Sequence, residues 1–487
     1  MAKSVDAFSD RIRQFVHDLS FYSIAHLVPA LLSLGALMLF TRVFSPEMFG
    51  RYSLALAVAG ITSTLLYGWL DYSVLRYAPQ LDEEIVLRNI YSLYVGISVL
   101  LLFLATVGYL LGGYWLGPYT IFFFPALALA IARGGIQVLL AFFRSVLNSP
   151  KVTLFRVMRA VISVTVSVVL ALIVLEHIVG WILGATIGIV VTCVYIFVSS
   201  ETVRGVPLFD REMINRLFRY GVPMVGFIIG DAFLVQADRV LLELLGSSIA
   251  VGIYSANYML VDRGLRLAYT PIIQAITPII IDSWDEGNEQ EIGTMIHNFS
   301  RYFILLGIPA LVLVAVLSKT VSTLLVGEEF TSGFVIIPVV AIGLFFWSLA
   351  NLIQVIFEIK EETAMLSYGI VGVIAVNLVL NVPLITTLGY FGAAVATTVS
   401  YTLYLLFVMR LSSRYLSWEF PVVCLRNAVV GAILMLLPTV ILYVFDSYTL
   451  VSSLSTAAIG TLFYLVSIYL LDEIGQAEIE QIRQFLE

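Results

Sequence analysis

Apolar runs of about twenty residues follow one another along almost the whole chain, and they constrain the fold more than any other feature of the sequence. At a rise of 1.5 Å per residue, about 20 helical residues cross the hydrocarbon core of a bilayer. Only 12% of the residues are charged, against roughly 25% in a soluble domain, so we predict an all-α polytopic membrane protein. Fourteen runs are predicted to span the membrane, at 22–40, 52–70, 91–111, 119–143, 157–176, 179–198, 222–245, 249–281, 299–317, 334–357, 366–386, 390–409, 423–445 and 451–471.

The distribution of basic residues predicts the orientation of these spans. If the chain starts in the cytoplasm, 19 of its 26 Lys and Arg residues fall in cytoplasmic segments or at the cytoplasmic ends of spans, three fall in outer segments and four lie deeper within spans. Cytoplasmic segments carry an excess of Lys and Arg in membrane proteins. Both termini are therefore predicted to be cytoplasmic, and an even number of spans preserves the asymmetry.

A weak internal repeat predicts how the spans are grouped. The sequence FGRYSLAL at Phe49–Leu56 opens the second span, and VGIYSANY at Val251–Tyr258 opens the eighth, an offset of 202 residues. Such repeats are common in transporters. The predicted organisation is an amphipathic cytoplasmic segment at 1–21, a six-helix bundle at 22–198, a cytoplasmic linker at 199–221, a second six-helix bundle at 222–409, and two further spans with a short tail at 410–487.

Four arginines lie inside predicted spans and away from their cytoplasmic ends: Arg133, Arg239, Arg263 and Arg266. A charge at the bilayer centre costs about 2.5–3.5 kcal/mol on insertion scales, so such residues usually face a wet cavity or a partner. The planar guanidinium suits phosphate oxygens, which makes these arginines candidates for binding an anionic headgroup. The alternatives are an ion pair between Arg266 and Asp262 four residues earlier, snorkelling of Arg239 to the outer interface, and a cytoplasmic helix end at Arg263 and Arg266.

Other polar side chains within the spans are further candidates. Asp231 and Asp238 lie seven residues apart on one helix face, and both are candidates for coupling transport to an ion. Asp231 is the better candidate, while for Asp238 a pair with an arginine on another helix is favoured. Asn351 and Gln354 form a polar stripe with Glu358 that could bind sugar hydroxyls. The alternative is interhelical hydrogen bonding, worth about 0.6 kcal/mol on average in membranes.

Several classes of function are disfavoured by the sequence. A P-loop pattern is absent, which argues against ATP hydrolysis. Two cysteines in apolar spans do not suggest a metal cluster, and a net charge of −7 argues against a nucleic-acid partner. The outer loops are too short for a membrane glycosyltransferase or ligase. We therefore expect a protein that is not an enzyme and needs no cofactor or metal.

Three segments together resemble a known family. They are TRVFSPEMFGRYSLAL after the first span, QADRVLLELLGSSIAVGIYSANYML in the middle of the chain, and LGYFGAAVATTVSYTLYLL at Leu388–Leu406. In order and position they look like the polysaccharide-transport branch of the multidrug/oligosaccharidyl-lipid/polysaccharide exporter superfamily, which includes lipid-linked oligosaccharide flippases. The span count and the midpoint linker match as well, so the resemblance covers essentially the whole chain.

The resemblance implies a fold and a function. Family members have two six-helix bundles that face each other as a V and alternate between inward and outward openings, and fourteen-span members add two C-terminal helices. The implied function is to flip an oligosaccharide on a polyisoprenyl phosphate or diphosphate across the cytoplasmic membrane of a prokaryote. Membrane lipids and polysaccharide-assembly enzymes are the expected partners. The alternatives are a multidrug–cation antiporter of the same superfamily and, from another class, a membrane glycosyltransferase or ligase.

Overall fold

The computed structural model describes residues 27–473 except 147, 201–206, 286, 288, 361 and 445–449. Throughout these residues the regular secondary structure is helical, and no strand occurs among them. The amphipathic segment predicted at 1–21 lies outside the described residues.

The described helices follow the predicted spans closely. Ten described helical stretches are long and apolar enough to cross a membrane, and one of these stretches contains both α3 and α4. Each of the fourteen predicted spans coincides with one helix, α10 and its short continuation α11 counting together, so the all-α polytopic prediction is confirmed. The helices are α1 (Leu27–Val43), α2 (Pro46–Tyr77), α3 (Glu83–Gly112), α4 (Thr120–Ser145), α5 (Ser149–Val169), α6 (Val179–Ser199), α7 (Arg211–Leu245), α8 (Ser248–Asp285), α9 (Glu289–Leu325), α10 (Ile336–Ile353), α11 (Val355–Ile359), α12 (Thr363–Leu388), α13 (Tyr390–Ser412), α14 (Val422–Val444) and α15 (Leu450–Leu470).

Short polar side chains begin several of these helices. Ser45 accepts a hydrogen bond from the amide of Met48 and Pro46 occupies the first turn of α2, while Asp82 caps α3 through two amides. Asp210 caps α7 through the amides of Glu212 and Met213. The sequence predicts a short helix after Asp210. The structure shows that this helix continues without a break into the seventh span as one helix of 35 residues.

The chain forms two compact units. Unit 1 comprises the chain up to Ala256 together with Ile370–Ala393, and unit 2 comprises Asn257–Gly369 and the chain from Ala394 onward. The boundaries between the units fall within α8, α12 and α13.

In unit 1, a stripe of glycines lets α6 pack directly on α5. A Cβ built on Gly184 or Gly188 would collide with the backbone of α5, and one built on Gly180 would collide with the backbone of Leu170 and Ala171 directly after α5. The close approach allows Ser167 Oγ to donate a hydrogen bond of 3.0 Å to the carbonyl oxygen of Trp181. Small residues at every fourth position are a common way to pack helices in membranes.

In unit 2, the last two spans pack on α9. Tyr464 Oη of α15 donates a hydrogen bond of 2.8 Å to the carbonyl oxygen of Leu305 on α9. Asn427 Nδ2 on α14 donates 2.7 Å to the carboxylate of Glu473, which also forms an ion pair of 3.4 Å with Arg301. The buried Glu473 thus joins the end of α15 to α14 and α9.

Candidate functional site

Arg133 lies on α4 of unit 1, where a glycine on α2 leaves room for its guanidinium. A Cβ built on Gly60 would lie 3.4 Å from Arg133 Nη1 and 3.9 Å from Gln236 Nε2. The Arg133 side chain is half-buried, and within the described residues it makes no hydrogen bond or ion pair. An unpaired guanidinium at membrane depth is costly, which indicates a wet cavity or an anionic ligand in front of Arg133.

A second arginine, Arg159 on α5, lies close enough to Arg133 for the two like charges to interact. Arg159 is also half-buried, and it makes no hydrogen bond or ion pair in the part of the chain that the structure describes. Two positive charges held near each other without an acidic partner repel, so an anion that binds both would relieve the repulsion. Arg133 and Arg159 are called the arginine pair below.

Arg239 on α7 is buried, and three neutral acceptors bind its Nε and Nη1. Its Nη1 donates hydrogen bonds of 2.8 Å to the carbonyl oxygen of Val235 and 2.9 Å to Gln236 Oε1, and its Nε donates 3.2 Å to Ser255 Oγ. Only 4% of the residue is exposed. Gln236 therefore lies between Arg239, which it binds, and the space in front of Arg133.

Asp238, next in the chain to Arg239, belongs to a buried polar cluster. Its carboxylate accepts hydrogen bonds of 2.5 Å from Tyr254 Oη and 3.2 Å from Asn381 Nδ2. The same Nδ2 donates 2.9 Å to Asn377 Oδ1. Asn377 Nδ2 and Asn381 Oδ1 are buried and have no hydrogen-bond partner among the described residues. Asp231, the other predicted carboxylate, has a side chain outside the described part of the structure.

In unit 2, Arg266 pairs with Asp262. Arg266 Nε lies 2.7 Å from Asp262 Oδ1, one helical turn away on α8, and the Arg266 side chain is 57% exposed. The pair lines a pocket with Tyr269, Trp347 and Asn351. Arg266 therefore faces a pocket and an acidic partner at once.

Arg263, on the same helix α8, is half-buried. Arg263 is not among the residues that line the pocket next to the Arg266–Asp262 pair.

The polar stripe on α10 continues from this pocket into an aromatic cluster. Gln354 Oε1 accepts a hydrogen bond of 3.1 Å from Tyr404 Oη on α13. The Trp347 ring lies 4.9 Å from the Tyr401 ring and 5.0 Å from the Tyr404 ring. Asn351 thus lines the pocket, while Gln354 joins two helices of unit 2.

The sequence reasoning did not single out Arg159 or Gln236. Arg159 counts among the cytoplasmic basic residues in the orientation argument, although it lies two residues inside the predicted span 157–176. The position of Arg159 inside a predicted span is the signal that could have identified it as a candidate. Gln236 carries no charge, and its place beside Arg133 follows only from how α2, α4 and α7 pack.

Comparisons with known proteins agree with this architecture. The family model described as "Polysaccharide biosynthesis protein" matches residues 15–284. A probable low-salt glycan biosynthesis flippase, Agl15, from Haloferax volcanii is 24% identical over 277 residues, which are 57% of this chain and 57% of that protein. The uncharacterized membrane protein MJ1068 from Methanocaldococcus jannaschii is 22% identical over 44% of this chain and 42% of its own. Both matches thus span only about half the length of these relatives.

Solved structures share the fold over most of the chain. The lipid II flippase MurJ in an inward closed conformation superposes with a TM-score of 0.76 at 16% identity, covering 93% of this chain and 98% of MurJ. An inward-facing multidrug resistance MATE transporter gives a TM-score of 0.63 at 14% identity, with 80% and 97% covered. The family model covers more than half of the 487 residues, and the chain belongs to the polysaccharide biosynthesis protein family.

Proposed function

We propose that this protein flips a lipid-linked oligosaccharide across the membrane by alternating access. The oligosaccharide is carried on a polyisoprenyl phosphate or diphosphate. Three findings support the proposal: membership of a polysaccharide biosynthesis family, a fold shared with the lipid II flippase MurJ, and a distant relative named as a probable glycan biosynthesis flippase.

The arginine pair is the observation that carries the proposal. The phosphate of such a substrate is the part that crosses the low-dielectric core at the greatest cost, since a charge loses its hydration there. Arginine stays charged in any environment and binds phosphate oxygens in a fork. Arg133 and Arg159 place two such positive charges within electrostatic range of each other inside unit 1, without an acidic partner in the described residues.

The pocket of unit 2 offers polar and aromatic groups of the kind that contact a sugar, while its volume of about 80 Å³ is below the range of sites that enclose a ligand. Asn351 offers both amide donors and acceptors, and Tyr269 and Trp347 offer flat apolar faces. Pockets that combine aromatic walls with a few polar groups are typical of small-molecule sites. Arg266 contributes less net charge here than Arg133 does in unit 1, because Asp262 offsets it. We therefore propose roles in this pocket for Arg266 and Asn351. Arg239, Arg263 and Gln354 do not line it, and substrate binding by these three residues stays a prediction.

The polar cluster around Asp238 is the proposed site of ion coupling. Asp238 is 1% exposed, and Asn381, which donates to its carboxylate, and Asn377 each have an amide atom without a partner among the described residues. A buried carboxylate that gains or loses a cation or proton would change the charge of this interior. Asp231 on the same helix is the second candidate.

The MATE structures make a multidrug–cation antiporter the competing function. A cationic drug that approached the arginine pair would meet like charges, which cost binding energy. The arginine pair thus favours an anionic substrate. The proposed setting is the cytoplasmic membrane of a prokaryote with both termini in the cytoplasm, near polysaccharide-assembly enzymes, and the protein itself is proposed to have no enzymatic activity.

Flipping by the full-length protein in proteoliposomes tests the function. Lipid-linked oligosaccharide that is exposed on the outer leaflet is detected with an impermeant sugar-modifying reagent. We expect flipping by the wild-type protein, and we expect a cationic drug to be neither transported nor able to compete. Drug transport without flipping would overturn the proposal in favour of the antiporter.

A further inference from the structure

Unit 1 contains an apolar groove that the arginine pair does not account for. It is lined by Leu54–Thr62 of α2, by α3 residues Leu101 and Ala105, by the segment that joins α3 to α4, and by Phe122–Ala130 of α4. Its cavity volume is about 480 Å³, within the range of about 300–1,000 Å³ of ligand sites. This cavity is called the α2–α4 groove below.

The groove exists because small side chains leave space between bulky ones. Ala55 and Ala59 on α2 face it, as do Ala126 and Ala130 on α4. Its wall is aliphatic or aromatic except for the hydroxyls of Thr62 and Tyr119. A wall of this kind does not hold ordered water, which needs two to four polar partners.

One side of the groove is open. Val58 is 48% exposed and Trp115, at one end of the groove, is 80% exposed, although both side chains are large and apolar. An opening on membrane spans that is edged by exposed apolar side chains favours lipid over water as the medium that it faces. The occupant that the surroundings supply is therefore a hydrocarbon chain.

The other end of the groove lies about one helical turn from Arg133 of the arginine pair. Ala130 precedes Arg133 by three residues on α4, which is about one helical turn. Ala59 directly precedes Gly60, the glycine that leaves space for Arg133 Nη1. An apolar channel and an unpaired cation are thus continuous, which is the pattern that an anionic lipid with its chain next to its phosphate would fit.

We propose that the α2–α4 groove holds the polyisoprenyl chain of the substrate next to its phosphate, while the phosphate binds the arginine pair. This inference rests on the proposed flippase function and deepens it. The lining on α2 runs from Leu54 to Thr62, a rise of about 12 Å at 1.5 Å per residue. The groove thus takes the first part of one chain and leaves the rest in the bilayer.

The single groove selects between two lipid classes. A phospholipid phosphate is joined through glycerol to two acyl chains, so two chains would leave the phosphate side by side. A polyisoprenyl phosphate has one chain attached directly to the phosphate. One narrow groove that ends at one pair of arginines fits the second geometry.

Photolabelling of the full-length protein tests this inference without the need for flipping. The probe is a polyisoprenyl phosphate with a diazirine near the phosphate, added to the purified protein in nanodiscs, and labelled peptides are identified by mass spectrometry. We expect labelling of α2 and α4 peptides within 54–62 and 122–130. A diazirine phosphatidylglycerol should label these peptides less than the polyisoprenyl probe does.

Two variants fill the groove and one control does not. Ala126→Trp fills the groove from α4, and Val58→Trp narrows it from its exposed edge, where folding is least affected. Leu104→Trp adds the same bulk on α3 at a residue that is 57% exposed and is not part of the groove lining. We expect loss of labelling in the first two variants and wild-type labelling in Leu104→Trp. Val58→Trp should keep the thermal midpoint of the wild type.

The outcomes separate the groove from the function. Equal labelling by the phosphatidylglycerol probe, or unchanged labelling in Val58→Trp, would overturn the groove assignment even where flipping is intact. Groove labelling that persists in Arg133→Ala would overturn the link between the chain and the arginine pair. If the protein flips no lipid-linked oligosaccharide at all, the proposed function fails, and the flipping assay reports that separately.

Discussion

Gly50 on α2 and Gly252 on α8 each pack against the first turn of the other's helix. A Cβ on Gly50 would collide with the carbonyl of Ser248, and a Cβ on Gly252 would collide with the carbonyl of Pro46. The two glycines are separated by 202 residues, the offset of the internal repeat, and so are Pro46 and Ser248. The contact between the two helices in unit 1 is thus symmetric with respect to the repeat.

Substitution of either glycine by alanine should force these helices apart. We expect Gly50→Ala and Gly252→Ala each to lower the free energy of unfolding by about 1–3 kcal/mol, because an added methyl meets backbone that cannot move aside. The measurement is the thermal or denaturant midpoint of the purified protein.

Gly264→Ala on α8 is the matched control, since a Cβ there has no neighbour within 4 Å. Alanine in an open helical position should leave stability unchanged or raise it by up to about 1 kcal/mol. A Gly252→Ala protein as stable as Gly264→Ala would contradict the close packing.

The repeat shows what the sequence could predict and what it could not. Hydrophobic run length located the helices, and the match between Phe49–Leu56 and Val251–Tyr258 identified equivalent helix starts. The direct contact of Gly50 with α8 depends on tertiary packing, and so does the place of Gln236 beside Arg133. The free-energy cost of burying a charge marks a charged residue within a span as a functional candidate. It does not predict which of these charges form ion pairs or hydrogen bonds in the folded protein.

Gly60→Val should reduce flipping with little effect on stability. The added side chain would occupy the space beside Arg133 Nη1 and Gln236 Nε2 and would keep an anion from the arginine pair. Gly96→Val on α3 is the control, because it makes the same change in helix propensity and a Cβ built on Gly96 has no neighbour within 4 Å. Equal flipping by the two variants would argue against a ligand site in front of Arg133.

Asp238→Asn should abolish the dependence of flipping on an ion gradient. Asparagine keeps the size of the side chain and removes the charge. Its single oxygen can still accept from Asn381, and its amide nitrogen would replace the oxygen that accepts from Tyr254, whose hydroxyl can turn to accept instead. The measurement compares flipping with and without sodium and proton gradients. Asp262→Asn, in the partly exposed pair with Arg266, is the control that should keep the ion dependence. If Asp238→Asn retains full ion dependence, the cluster has a structural role only.

Arg266→Ala should have a small effect on stability. The pair with Asp262 is an i,i+4 pair with a 57% exposed arginine, and such pairs contribute about 0.3–0.5 kcal/mol. Flipping should fall less than in Arg133→Ala, since Asp262 already offsets the charge of Arg266.

Exchange of the two charges separates the roles of Arg266. In the double variant Asp262→Arg with Arg266→Asp the ion pair is restored in reverse. If Arg266 acts only through this pair, the exchange should restore flipping fully. If it binds the substrate, flipping should remain low while the thermal midpoint returns to that of the wild type.

The most direct measurement compares flipping of a lipid-linked oligosaccharide by the wild-type protein with flipping by Arg133→Ala, Arg133→Lys and Arg159→Ala in proteoliposomes. Lysine keeps the charge but lacks the bidentate fork. Arg216→Ala is the control, because Arg216 forms an exposed pair with Glu212 outside the spans. We expect flipping to be lost in both alanine variants of the arginine pair, retained in small part by Arg133→Lys, and unchanged in Arg216→Ala. Wild-type flipping by Arg133→Ala and Arg159→Ala at normal protein levels would contradict the proposal that the arginine pair carries the phosphate across.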